Sequence, residues 1–497
     1  MAGGLMTLFL CGDVMLGRGV DQILPHPGDP ELREGQVSDA RSYVRLAERV
    51  SGPIPRPVGS CWPWGDALEV LDHMAPDARV VNLETSVTRS ADFMPGKAVH
   101  YRMSPGNLPS LTAVRPDACA LTNNHVLDFG RRGLRETLDT LASGGLRAVG
   151  AGRDAADARQ PAAIPVRGGG RAVVFSCGAA SSGIPSSWAA TATRPGIDFL
   201  PSLSDDVAEG LIARVREVKR PGDVVVVSVH WGSNWGYAVH DEQVWFAHRL
   251  IDGGVDLIHG HSSHHPRPVE IYRGRLVLYG CGDCIDDYEG IDGYGQFRDD
   301  LRLLYFASVA PDTGMLNALR MVPMQARKMR LCHASPSDSE WLHGVLKAIS
   351  RGFGCPVGRE PDGALIVRPP PPASPAATST PAPGHRRTEA RGWVSPGAQA
   401  EVGTFGPASR DRVRSKTSSH GSEVKGDDVM HAVVGDELIV RGRHVSDVDR
   451  EGVIIEVHGG GGAPPYRVRW KDGHESLFTP SSDTFVEHLP VAPRPSS

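Results

Sequence analysis

Five times in the first 285 residues, a run of β-forming apolar residues stops at a cluster of polar side chains able to hold a metal ion. LFLCGD ends at Asp13, RVVNLE at Asn82 and Glu84, and ACALTNNH at Asn123, Asn124 and His125. VVVVSVH ends at His230, and VDLIHGHSSHH carries His259, His261, His264 and His265. Short continuous apolar runs predict strands buried on both faces. Helical patterns lie between them. RRGLRETLDTLASGG places Leu134, Leu138 and Leu141 at helical spacing with Gly144 as stop signal, and QVWFAHRLIDGG and SEWLHGVLKAISRGFG repeat the amphipathic pattern. This alternation predicts an α/β layered domain. LRLLYFASVAPDTGMLNALRMVPMQARKMRL reads instead as antiparallel strands joined at Pro311-Asp312-Thr313-Gly314.

The pattern predicts three regions. Residues 1–368 form the α/β domain. Residues 369–428, rich in Pro, Ser and Gly, bury too little apolar surface to order and read as a disordered linker. Residues 429–490 return to short strands separated by turns, the pattern of a small β-barrel.

A buried strand has no packing use for a carboxylate, amide or imidazole at its tip, because an unpaired buried polar group costs free energy. In α/β sheets, ligand sites gather outside the carboxyl ends of the strands. The five tips therefore read as one metal site with Asp, Glu, Asn and His ligands. Asp13, Glu84, Asn124, His230 and His261 are the candidates, with His264 next and Glu84 as the bridge between two ions. His259 shares the face of His261, but His259 and His265 are expected to be polar surface residues. His125 is the candidate catalytic acid, oriented by Asp128 three residues on. Mixed oxygen and imidazole ligation suits one or two divalent ions, Mn, Zn or Fe, which would generate a nucleophile from water. There is no G-x-S-x-G elbow and no P-loop.

Composition narrows the class. At 497 residues, 40% hydrophobic and 22% charged, the chain is that of a soluble globular protein. Its net charge of −5, with six basic against ten acidic residues in the C-terminal region, argues against nucleic-acid binding. No apolar run reaches the roughly 18 residues of a membrane span, and the N-terminus lacks the features of a signal peptide, so a cytoplasmic location is expected. The eight cysteines, with a single C-x-x-C at Cys281 and Cys284, read as reduced thiols rather than a disulfide framework or zinc site.

Taken in order, GDVMLGR, NLE, TNNHVLDFG, HWG, GHSSHH and LYGCGD resemble the CapA-type capsule-synthesis proteins, associated with poly-γ-glutamate. These in turn are similar to the calcineurin-like metallophosphoesterase superfamily. The resemblance spans roughly residues 6–365 and implies a four-layered α/β sandwich with a di-metal centre. It makes Asp13 the first-strand ligand, Glu84 the bridging acid, Asn124 the amide ligand, His125 the catalytic histidine, and His230, His261 and His264 the later ligands. Met15 stands where the superfamily's phosphoesterases carry a histidine, so the resemblance implies one or two ions. It implies a hydrolase acting on a small-molecule or polymer substrate, with a non-catalytic metal-binding scaffold in polymer assembly as the alternative. The C-terminal stretch resembles a small stand-alone domain of unassigned function and looks like an SH3-like barrel, a candidate site for a protein partner. Tyr466, Trp470 and His474 are its candidate binding face, although aromatics in so small a barrel belong more often to the core.

Overall fold

The computed structural model describes residues 4–34, 37–291 and 295–369, then 432–440, 450–459, 465–471, 473, 475–478 and 484–487. The chain divides into two compact units, Met1–Pro370 and Pro371–Ser497. Apart from residue 369, the linker expected at 369–428 lies outside the described residues.

In chain order, the strands that build the first unit's site are β1 (Met6–Val14), β2 (Ala78–Leu83), β3 (Ala118–Ala120), β4 (Arg171–Ala179), β5 (Val224–His230), β6 (Leu257–His261), β7 (Arg275–Leu278), β8 (Asp283–Ile285), β9 (Leu301–Ala310) and β10 (Met315–Ala326). The helices that matter are α1 (Gly130–Ser143), α2 (Asp205–Val218) and α3 (Asp241–Asp252).

Two large sheets form among the described residues, one of ten strands and one of seven. In the first, β1 pairs in parallel with β2 and β8 and antiparallel with β9, and β2 continues in parallel to β3. β9 and β10 are antiparallel around the expected turn, where the Gly314 amide donates to the Ala310 carbonyl. In the second, β5 lies between β4 and β6, and β6 continues to β7, all in parallel.

The strands are apolar on both faces because both faces are covered. Side chains alternate across a strand. On β1, Phe9 and Cys11 join a core with Leu134, Leu138 and Leu141 of α1, whereas Leu8 and Leu10 join another with Val174, Val226 and Leu257 of the second sheet. Val173, Val225 and Val227 turn the other way, into a third core with Leu211 and Ile212 of α2 and Phe246 and Leu250 of α3. Each fully buried aliphatic side chain contributes about 1.5–3 kcal/mol.

Parallel pairing sets the site. It brings the carboxyl ends of β1, β2 and β3 to one edge of their sheet, and those of β5 and β6 to one edge of theirs. Asp13 is in register with Asn82 and with Asp283, and His230 with His261.

The second unit contains a five-stranded antiparallel sheet over Glu437–Val440, Arg450–Val457, Tyr466–Trp470, Glu475–Phe478 and Thr484–Glu487. Tyr466 and Trp470 are buried in its core with Leu438, Ile454 and Val468, so they do not form an exposed face. His474 lies outside the described residues. All eight cysteines are unpaired. Among the described residues, no helix is long and apolar enough to cross a membrane.

Candidate metal centre

Asp13 is the hub. It lies fully buried one residue before the end of β1, where its amide donates to the Gly282 carbonyl at 3.0 Å and Oδ1 accepts from Asn82 Nδ2 at 2.7 Å. Oδ2 has no hydrogen-bond partner. Asn82 also donates to Glu84 Oε2 at 3.0 Å, so one amide holds two carboxylates. Asn123 in turn donates to Asn82 Oδ1 and to the Leu83 carbonyl, which makes it a brace for the site. Burial pushes the Asp13 and Glu84 carboxyls up, and their carboxylate neighbours add to this for Asp13.

The second sheet delivers His230 and His261, whose Nδ1 atoms face each other at 2.7 Å. A relay of hydrogen bonds fixes which atoms carry protons. The Cys11 carbonyl can only accept, so His259 Nε2, 2.8 Å away, donates to it. His259 Nδ1 is then a lone pair, and at 3.1 Å it accepts the Ser228 hydroxyl proton. Ser228 Oγ is left to accept from His261 Nε2 at 2.9 Å, and His261 Nδ1 is bare. On the other ring, His230 Nε2 donates to Asn124 Oδ1 at 3.2 Å, so its Nδ1 is bare too. Two lone pairs meeting at this distance repel each other unless a cation lies between them. Burial and the neighbouring imidazoles hold both histidines well below their ordinary pKa, as neutral imidazoles.

A second group shares Asp13. His264 Nδ1 is 2.9 Å from Asp283 Oδ1, while Asp283 Oδ2, like Asp13 Oδ2, is buried with no partner. Burial lowers the His264 pKa, but the adjacent Asp283 outweighs it and raises the net value. The ligand atoms of Asp13, His230 and His261 lie within 4.8 Å of one another, and so do those of Asp13, His264 and Asp283.

His125 presents Nε2 to Glu84 Oε1 across 3.9 Å, and its ring packs edge-on against Tyr101. Its Nδ1 lies 2.7 Å from Asp128 Oδ2 and 2.8 Å from Lys97 Nζ. Burial, reinforced by Lys97 and opposed by Asp128, brings the His125 pKa down to about 4.

The structure thus gathers all eight predicted residues, with several revisions of place. Asp13, not Glu84, is common to both groups, and Glu84 approaches His125 and His230 only to 3.9 Å. Asn124 faces the outer nitrogen of His230. His259 and His265 are buried rather than on the surface. His259 ends the relay at Cys11, and His265 stacks on Phe297. Met15 is buried beneath the Tyr288 hydroxyl, 3.9 Å from its sulfur. Asp283, Lys97 and Ser228 were not predicted. A signal for Asp283 was present, because Cys281-Gly282-Asp283 repeats Cys11-Gly12-Asp13. The donor set fits a divalent cation on three counts: two unpartnered carboxylate oxygens, facing imidazole lone pairs, and three buried carboxylates with few cations beside them.

Fold and site define an α/β protein with a buried carboxylate–imidazole centre at the carboxyl edge of its strands. The chain belongs to the bacterial capsule synthesis protein PGA_cap family, whose pattern matches residues 7–288. It is 54% identical over 372 residues to a "Probable polyglutamine synthesis accessory protein" of Mycobacterium tuberculosis H37Rv, covering 74% of this chain and 98% of that protein. It is 29% identical to the "PGA biosynthesis protein CapA" of Bacillus subtilis 168, over 61% of this chain and 67% of that protein. Residues 430–486 match a second family, a domain of unknown function named DUF1918. Over 58 residues, 12% of this chain, they are 48% identical to an uncharacterized Mycobacterium bovis protein, covering 72% of it.

Proposed function

We propose that the first unit is a divalent-metal-dependent hydrolase of capsule or poly-γ-glutamate metabolism, built on a four-layered metallophosphoesterase-like sandwich. The three separate cores support the layering, and the names of the relatives support polymer metabolism. The observation that carries the reading is Asp13, buried, common to both ligand groups and unpartnered at Oδ2.

In this reading Asp13, His230 and His261 hold the tighter ion, of Mn, Zn or Fe. Asn124 orients His230, Ser228 orients His261, and Asn82 fixes the two carboxylates. His264 Nδ1 is already engaged by Asp283 Oδ1, so the second position is weaker. A bound divalent ion supplies charge that neutralises the carboxylates, polarises a substrate oxygen and acidifies water. His125 presents Nε2 beside Glu84 Oε1, 3.9 Å away, and in this reading serves the leaving oxygen or nitrogen. Phosphoesters and γ-glutamyl amides both fit this chemistry. We read the second unit as an SH3-like module for a protein partner, and the whole protein as cytoplasmic.

Elemental analysis of the full chain after Mn or Zn loading and desalting tests the reading. About one retained ion per chain is expected, lost in Asp13→Ala and kept in His264→Ala, with hydrolysis of a phosphoester or γ-glutamyl probe that His125→Ala abolishes. Absence of any retained transition metal sinks the proposal. The second reading, a scaffold that binds metal without turnover, is favoured by Met15 in place of a ligand, and it predicts retained metal with no hydrolysis of either probe.

A further inference from the structure

His125 Nδ1 has two neighbours competing for one position. Asp128 Oδ2 lies 2.7 Å from it and Lys97 Nζ 2.8 Å. A neutral imidazole nitrogen either donates its one hydrogen or offers its one lone pair, so only one of these contacts is a hydrogen bond at a time. The choice decides what Nε2 shows to the site. If Nδ1 donates to Asp128, Nε2 presents a lone pair. If Lys97 donates to Nδ1, Nε2 presents an N–H.

Counting hydrogens decides between them. Asp128 is satisfied without the ring, because Oδ2 accepts from the Tyr101 amide at 2.7 Å and Oδ1 accepts from Lys97. Lys97 is not satisfied without it. Its ammonium has three hydrogens, its side chain is largely buried, and its hydrogen-bond partners among the described residues are Asp128 Oδ1 and His125 Nδ1. A hydrogen on Nδ1 would set two donors against each other at 2.8 Å, whereas a bare Nδ1 facing Asp128 Oδ2 at 2.7 Å is relieved by the ammonium, which contacts both groups.

We infer that Lys97 is a positioning residue that fixes His125 as the Nε2–H tautomer, so that a neutral hydrogen-bond donor faces the substrate oxygen. Asp128 then acts on His125 through Lys97, by anchoring the ammonium, while Tyr101, packed edge-on with ring centres 4.5 Å apart, keeps the imidazole plane. His125 is thereby cast as a donor that stabilises charge developing on the substrate, not as a base taking a proton from water. That consequence rests on the hydrolase reading, but the tautomer does not.

The test is a multiple-bond proton–nitrogen correlation spectrum of the full chain, labelled with nitrogen-15 in histidine and recorded at neutral pH. The His125 signals are assigned by their loss in His125→Gln. The wild type is expected to carry the hydrogen on Nε2. Lys97→Met should move it to Nδ1, where Asp128 accepts it, and Lys97→Arg should keep it on Nε2. A hydrogen on Nδ1 in the wild type overturns the inference, and so does Lys97→Met with the hydrogen still on Nε2. The wild-type spectrum alone keeps the inference falsifiable should a variant misfold. Failure of the hydrolase reading appears in metal content and turnover, not in this spectrum.

Discussion

Ser228 touches no candidate ligand atom that would meet an ion, yet the bare nitrogen of His261 depends on it. Its hydroxyl carries the polarity set by the Cys11 carbonyl through His259 and hands it on to His261 Nε2. With Ser228→Ala, His261 loses its acceptor, and nothing then favours the tautomer that leaves Nδ1 free. Partners of this kind typically change metal affinity by 10–100-fold. Chelator competition is therefore expected to show the first ion bound about 10–100-fold more weakly in Ser228→Ala, with the fold intact by circular dichroism. An affinity within about twofold of wild type would refute the relay. The relay was invisible in the sequence. Period two does put His259 and His261 on one face of β6, but that the face meets a carbonyl of another sheet at one position and Asp13 at the next depends on how the sheets pack. Lys97 was hidden for a different reason, since it reaches the site from an irregular stretch with no period to read.

At the scale of elements, the site depends on how closely two Cys-Gly-Asp segments approach. β1 and β8 run in parallel with Asp13 opposite Asp283, and a Cβ on Gly12 would fall 1.6 Å from the Gly282 carbonyl oxygen. Backbone atoms cannot give way as a flexible side chain does, so β8 would have to part from β1. Gly12→Ala is expected to lower stability by about 1–3 kcal/mol or more and to abolish retention of the ion, read from urea midpoints and elemental analysis. Gly210→Ala is the contrast. Gly210 is exposed within α2, with nothing within 4 Å of an added Cβ, so the substitution should raise stability by up to about 1 kcal/mol. A wild-type midpoint in Gly12→Ala would show that the two segments do not need this approach. The same elements explain what was legible. Asp13, His230 and His261 stood out because each ends a long apolar run. Asp283 opens a strand of three residues, with no run before it to mark a tip, and only its repeated tripeptide pointed to it. Glu84 was legible as the acid following the β2 run, although β2 ends at Leu83, one residue short of it, and Asp13 rather than Glu84 is common to both ligand groups.

For the whole molecule, the question is whether the candidate metal centre needs the second unit. The residues that build it lie between Asp13 and Asp283, and all three large cores are formed by residues up to Val367. The second unit has its own core around Leu438, Ile454, Tyr466, Val468 and Trp470. The Mycobacterium tuberculosis relative is matched over 98% of its length by 372 residues of this chain, so a protein of the first unit's size exists without the second. Residues 1–370 produced alone should therefore fold, retain about one ion per chain and keep the full chain's thermal midpoint within a few degrees, by calorimetry and elemental analysis. If the second unit is a docking module, the shortened chain should also lose proteins that co-purify with the full one while keeping its metal. Loss of the metal on truncation would instead mean that residues beyond 370 stabilise the site, and the division of labour between a hydrolytic unit and a binding unit would fail.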